Sequence, residues 1–442
     1  MLFSSLSFLF FYLPAVLAGN LLLPPRARLP FLFAASLLFY GWGEPGTVIL
    51  MAVSILANYA LTLAMASCPR RKKALLAFSI ILQLAILGYF KYAGLIVPGF
   101  QVALPVGISF YTFQAIGYTI DVYRQEIPAD RSLLRYGTFI TLFPQLIAGP
   151  IERYGDIQPQ LEKPARSWRN FAFGTRLFVI GLSKKLLLAN AAGQLWEALK
   201  DSPARNGFLG NWAALIAFAF QIYFDFSGYS DMARGLGWML GIRFRENFLY
   251  PYTARSITDF WRRWHVSLSV WFKDYVYIPL GGNRRGLPRQ MANILIVWGL
   301  TGLWHGASWN FVVWGLYYAG LLILEKLFLL KLYARLPKGM AWLSRVVTLA
   351  LVLVGWALFA FTDFAAMRAF LAGLVPGEPL GPVSRGMAKA FLPLFAVCAL
   401  AGIPWRFRLP RLAEELVLCA LFLLCVAALV SQGYNPFLYF RF

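Results

Sequence analysis

The chain has 442 residues, 60% of them hydrophobic, 17% aromatic and only 14% charged, with a mean hydropathy of +0.62. A soluble domain carries about 25% charged residues, so the composition excludes a soluble enzyme and describes a polytopic membrane protein. The net charge of +22, from 41 Lys and Arg against 19 Asp and Glu, would suggest nucleic acid in a soluble protein; here the basic residues gather in short loops between apolar runs, as the positive-inside rule expects, and no nucleic acid partner is expected.

Apolar runs at 74–97, 171–188, 212–226, 346–361 and 412–430 reach or approach the roughly 20 residues that a membrane helix needs. They are continuous, whereas barrel strands alternate in segments of about ten; the fold is expected to be all-α. The run at 1–18 resembles the apolar part of a signal peptide, with Ala18 at a possible cleavage point. It lacks a positive leading region and reads as an uncleaved first span. With Arg26 and Arg28 inside, residues 30–42 and 46–65 form an outward-and-back pair turning at Glu44, Pro45 and Gly46. The basic cluster 70–73 is inside, 74–97 runs out, 103–121 returns, and Arg124, Arg131 and Arg135 are inside again. Residues 138–149 are apolar but too short to cross, and Phe143-Pro144 and Gly149-Pro150 interrupt them. That pattern predicts a broken or re-entrant helix, which a bilayer permits only where protein or a water-filled cavity covers the freed backbone. Spans near 171–190 and 209–227, a basic inner stretch over 234–263, and spans near 343–361, 389–404 and 412–430 follow, with Arg406, Arg408 and Arg411 inside. No repeat or soluble insertion divides the chain, so 1–442 reads as a single transmembrane domain.

Only two histidines occur, His265 and His305, both in Trp-rich sequence. Histidine passes protons near neutral pH, and an ionisable group at membrane depth is costly enough to be a functional candidate by default. His305 follows an apolar run over 292–304 and precedes another over 311–324, so it sits at membrane depth unless the helix breaks at Gly302 or Gly306; Ser308 and Asn310 give it polar company. His265 lies in 257–275, which at about 100° per residue forms an amphipathic helix. Ile257, Phe260, Trp261, Trp264, Leu268, Trp271, Phe272 and Tyr275 make its apolar stripe. His265 falls at the stripe's edge, where a structural role and a catalytic-support role both remain open. Gly281, Gly282 and Asn283 signal a turn whose amides, with Arg284, either receive an anionic group or belong to a simple cytosolic turn with topogenic arginines. Asp225, Asp231 and Glu152 read as organisers of a cavity rather than reacting groups. Four cysteines without a CxxC pair, and two histidines, offer no metal site.

Taken together, PVGISFYTFQ (105–114), FPQLIAGPIER (143–153), DFSGYSD (225–231), NFLYPY (247–252), FWRRWH (260–265), PLGGNR (279–284), WHGASWN (304–310) and NPFLYFRF (435–442) resemble the membrane-bound O-acyltransferase (MBOAT) family, and within it the bacterial alginate O-acetyltransferase branch. The resemblance implies a ring of about 11–12 transmembrane helices around re-entrant central helices, a tunnel, and a catalytic core over about residues 100–330. It implies His305 as the catalytic histidine and His265 as the second one, with Asn310, His265 or a backbone amide as oxyanion donors and Arg153, Asn283 and Arg284 near the donor's phosphates. The donor expected is a cytosolic acetyl thioester, acetyl-CoA, with no bound cofactor. The acetyl group would pass across the bacterial inner membrane to a periplasmic acetyltransferase partner that modifies an exported polysaccharide. A D-alanyl branch fed by a carrier protein, and a transporter or flippase, are the alternatives.

Overall fold

The computed structural model describes residues 1–97, 103–335, 337–405, 409–431 and 433–438. Arg406, Arg408 and the 439–442 end of the C-terminal motif lie outside the described residues. Within them the chain is helical, without a strand. Six helices are long and apolar enough to cross a membrane: Thr47–Ser67, Pro69–Gly94, Pro203–Leu240, Trp309–Arg335, Ala341–Ala360 and Arg411–Ser431. Phe8–Leu22 and Leu392–Ala401 are apolar but shorter. The expected run at 171–188 falls in a longer helical path, Trp168–Ser183, Lys184–Ala189 and Asn190–Leu199, in succession.

Contacts divide the chain into two compact units, one of 1–182 with 229–246 and the other of 183–228 with 247–442. In the first, helix Thr47–Ser67 turns Ile49, Val53 and Leu56 outward and buries Ser54, Asn58 and Thr62 at four-residue spacing. Lipid tails are as apolar as leucine, so helices in a bilayer associate through close packing and polar contacts. Asn58 supplies such a contact: its Nδ2 donates to Ser79 at 3.1 Å and to Thr119 at 3.0 Å, and the Tyr136 hydroxyl donates to its Oδ1 at 2.6 Å. One amide thereby ties together helices Thr47–Ser67, Lys72–Ile96, Ile108–Tyr123 and Leu133–Thr141.

The broken segment takes the expected form. Leu133–Thr141 stops at Leu142 (φ −50°, ψ 106°), a single turn Phe143–Leu146 follows, and the chain then runs on without regular structure to Arg153. Protein covers it: Leu142, Phe143, Gln145, Leu146, Ala148 and Glu152 are all buried. Gln145 Nε2 donates to the Phe139 carbonyl at 2.6 Å, satisfying an acceptor near the break. Gly107 (φ 75°) lets Ile108–Tyr123 start against it, since a Cβ there would lie 2.5 Å from the Leu146 oxygen.

In the second unit, helices Leu287–His305 and Trp309–Leu324 form a tight hairpin. A Cβ on Gly302 would lie 2.4 Å from the Phe311 oxygen, and one on Gly315 2.4 Å from the Trp298 oxygen. Two glycines therefore set the approach of the backbones, the small-residue packing that membranes favour.

Candidate active site

His305 is the last residue of helix Leu287–His305, and the helix ends at Gly306 (φ −175°, ψ 167°). Gly306 is extended, and a Cβ there would lie 2.3 Å from the Phe311 ring. Of the two breaks the sequence allowed, the chain uses Gly306, and Gly302 serves packing instead. The half-buried imidazole sits against Trp304, Trp314 and Phe359, with ring centroids at 5.0, 4.9 and 5.3 Å.

The single amphipathic helix expected over 257–275 is corrected by the structure. Helices Ile257–Trp261 and Val266–Phe272 are separated at His265, which is left-handed (φ 44°, ψ 55°). Such a conformation costs a non-glycine residue about 1–3 kcal/mol and persists only where the surroundings over-determine it. Asn247 does so: its carbonyl accepts from Val266 N at 3.0 Å, and its Oδ1 accepts from both the amide and the hydroxyl of Ser267 at 3.0 Å. The other end is held by Glu325, fully buried, whose carboxylate accepts from Ile257 N at 2.6 Å, Thr258 N at 2.8 Å and the Thr258 hydroxyl. The predicted stripe does face inward, with Ile257, Phe260, Trp264, Leu268, Phe272 and Tyr275 buried.

His265 is buried at 2% exposure, its ring 4.7 Å from Phe226 and 6.1 Å from Trp304. Burial pushes its pKa below the usual histidine range, to about 3. It is a neutral ring at physiological pH, able to donate one N–H but unable to exchange charge there. Trp304 thus packs against both imidazoles.

The two histidines line one cavity of about 300 Å³. Arg262, Lys273 and Lys326 stand in its wall and no carboxylate does among the described residues, while Trp261, Trp264, Leu268, Ile294 and Trp298 give it apolar sides. Its hydroxyls are largely committed: Ser269 donates to the Trp261 carbonyl at 3.1 Å, Thr301 to the Val297 carbonyl at 2.8 Å, and Thr258 to Glu325. A second cavity of about 30 Å³, room for a water or two, is lined by Asp225, Phe226, Trp314, Trp356, Phe437 and Leu438 among others. His305 and Trp264 border both. Asp225 fixes the C-terminal side of the small cavity: it pairs with buried Lys185 at 2.7 Å and accepts from Leu438 N at 2.9 Å.

The other residues singled out in sequence lie elsewhere. Asn310 is fully buried but borders neither cavity; its Nδ2 donates to the Phe359 carbonyl at 3.1 Å, tying the hairpin to helix Ala341–Ala360. Asn283 and Arg284 are exposed and do not line the large cavity. The amides of Gly281, Gly282 and Arg284 donate within the turn, to Ile278, Tyr277 and Gly281 carbonyls, so they are not open to an anion. Arg153 belongs to the first unit and lies 3.7 Å from Glu126. The sequence reading missed Arg262, Lys273, Lys326, Glu325 and Asn247. The first two flank His265 in the chain, and Lys326 closes the apolar run after His305, which is the signal that marks them.

A model of the membrane-bound O-acyltransferase family matches residues 39–360. The chain belongs to the membrane-bound O-acyltransferase family. Along the full length of both chains it is 36% identical to the probable alginate O-acetylase AlgI of Azotobacter vinelandii. It is 33% identical to the peptidoglycan O-acetyltransferase of Helicobacter pylori, over 85% of this chain and 80% of that one. It is 30% identical to the teichoic acid D-alanyltransferase of Bacillus subtilis, over 59% of this chain and 69% of that one. This MBOAT member is a multi-pass membrane protein and an O-acyltransferase, and the transporter alternative is set aside.

Proposed function

We propose that the protein moves an acetyl group from a cytosolic thioester, acetyl-CoA, through the bacterial inner membrane for O-acetylation of an exported, alginate-like polysaccharide, by way of a periplasmic acetyltransferase partner. The observation that supports this most is the cationic cavity ending at His305. A thioester attached to phosphates is an anion with a neutral reacting end, and Arg262, Lys273 and Lys326 offer charge to the first while Trp and Leu side chains surround the second. The acceptor hydroxyl approaches from the side of the small cavity. His305 takes its proton as the oxygen attacks the thioester carbonyl. The tetrahedral intermediate collapses, the carbon–sulfur bond breaks, and the thiolate leaves with that proton, giving an acetyl ester and a free thiol. Asn310 and the Ser269, Thr301 and Thr258 hydroxyls are committed to protein acceptors, and the oxyanion is assigned to neutral His265 as N–H donor; such donors are worth about 3–4 kcal/mol.

Steady-state kinetics with acetyl-CoA test the donor surface. Arg262→Gln combined with Lys326→Gln is expected to raise KM at least about tenfold, equivalent to losing about one charge-assisted contact, with kcat little changed, whereas Arg284→Ala leaves KM near the parent value. An unchanged KM in the double variant would move the donor away from this cavity. Similarity to the D-alanyltransferase supports a second reading, acyl transfer from a carrier protein; saturation by an acyl-carrier thioester without turnover of acetyl-CoA would select it.

A further inference from the structure

The first unit holds a cavity of about 450 Å³ between the end of helix Leu13–Leu22 and the start of helix Trp168–Ser183. Its lining is divided by polarity. Leu17, Ala18, Leu21, Phe171 and Met239 form the apolar part, and Asn20, Arg166 and Ser167 the polar part. Arg166 spends two donors on Asn20, to the carbonyl at 3.1 Å and to Oδ1 at 2.8 Å. Its Nε is buried with no hydrogen-bond acceptor, and no carboxylate pairs with it among the described residues. Arg28 is close enough to repel it: burial first and Arg28 second hold the Arg166 guanidinium below its ordinary pKa. Among the described residues Arg28 itself reaches backbone carbonyls only, Leu23 at 2.8 Å and Leu21 at 3.4 Å.

A partly buried guanidinium in the wall of a cavity, with a second one near enough to repel it and no counter-charge among the described residues, is unfavourable unless an anion completes the site. The apolar wall would be wasted on a small soluble anion, whereas it suits hydrocarbon. Trp168, 78% exposed, stands at the rim, the kind of residue that sits at headgroup level. We propose that this cavity binds an anionic phospholipid of the cytoplasmic leaflet, with its phosphodiester against the Arg166 guanidinium, Arg28 adding charge from nearby, and an acyl chain along Leu17, Leu21, Phe171 and Met239. The leaflet follows from the cytosolic placement of the basic loops. A zwitterionic headgroup is a poorer fit, because its cation would be repelled by Arg166 in the wall and by Arg28 nearby. This proposal stands apart from the acyl-transfer reading.

Native mass spectrometry of the purified full chain, supplemented with equal amounts of phosphatidylglycerol and phosphatidylcholine of the same acyl length, tests it. The parent protein is expected to retain phosphatidylglycerol in preference by about tenfold, one charge-assisted contact in affinity terms. Arg166→Gln should abolish the preference. Ala18→Trp, which fills the cavity and leaves the guanidinium bonds intact, should lower retention of the lipid without changing the fold's melting temperature. Arg169→Gln, a neighbouring arginine outside the cavity lining, should leave the preference intact. Equal retention of the two lipids by the parent, or a preference undiminished in both Arg166→Gln and Ala18→Trp, would overturn the proposal. So would displacement of phosphatidylglycerol by millimolar inorganic phosphate, which would mark a soluble-anion site.

Discussion

The strained backbone at His265 concentrates the residue-scale physics of the site. Its left-handed conformation is maintained by Asn247, which collects three donors from Val266 and Ser267. Asn247→Ala removes the acceptor for a buried amide and hydroxyl, and leaving such groups unpaired costs about 1–3 kcal/mol. The expected result is a melting temperature lowered by several degrees and a reduced kcat, while His265→Asn, a residue that tolerates positive φ, keeps most of the stability and loses the imidazole's share of rate. Equal stability of Asn247→Ala and parent in a thermal scan would remove Asn247 from this role. Glu152 gives a pH prediction. Burial raises its carboxyl to about 7 against an unfolded value of 4.5, with the Arg245 amide at 2.7 Å opposing the shift. A raised folded pKa means that the folded state holds the proton more tightly, so this contribution is fully present below 4.5 and is lost as pH rises through about 7. The melting temperature of the parent should therefore fall across that window relative to Glu152→Gln; parallel profiles would contradict it.

Elements decide how these residues meet, and here the sequence was legible in part. The helix break before Trp309 was readable because glycine follows His305 directly, and the interruption near 142–153 because Pro144 falls inside a short apolar run and Gly149-Pro150 closes it. The break at His265 was not, because the apolar period fits a continuous helix and the competing acceptor, Asn247, comes from a separate segment. In sequence Arg262 and Lys273 belonged to the polar face of the 257–275 helix, opposite its apolar stripe, and Lys326 to no pattern, until folding set all three in one wall. Asn310 was credible beside His305 in sequence, yet the turn between them sends its amide toward Phe359. The hairpin carries the sharpest element-scale prediction. Gly302→Leu or Gly315→Leu forces a side chain into a backbone carbonyl that already limits a Cβ to 2.4 Å, and overpacking of this kind costs about 1–3 kcal/mol or more. Both variants should lower detergent-solubilised yield and melting temperature, whereas Gly320→Leu, with open space around it, should not. Parent-like stability of the Gly302 and Gly315 variants would contradict close packing at the hairpin.

For the whole molecule, the composition fixed the class: 14% charge and long apolar runs leave a membrane protein, and positively charged loops give it an orientation. The irregular backbone between Leu142 and Arg153 is buried by protein, as a bilayer would require of it. What composition cannot convey is that one imidazole borders two separate cavities, because that depends on segments from 222 to 438 converging on residue 305. The account rests on that imidazole moving the proton. On the proposed function, its most direct test is the acetyl-ester content of exported polysaccharide in cells producing His305→Ala at the parent's protein level. A positioned general base contributes about 10²–10⁴ in rate, so the account predicts a fall of at least about a hundredfold; ester content close to that of the parent would contradict it.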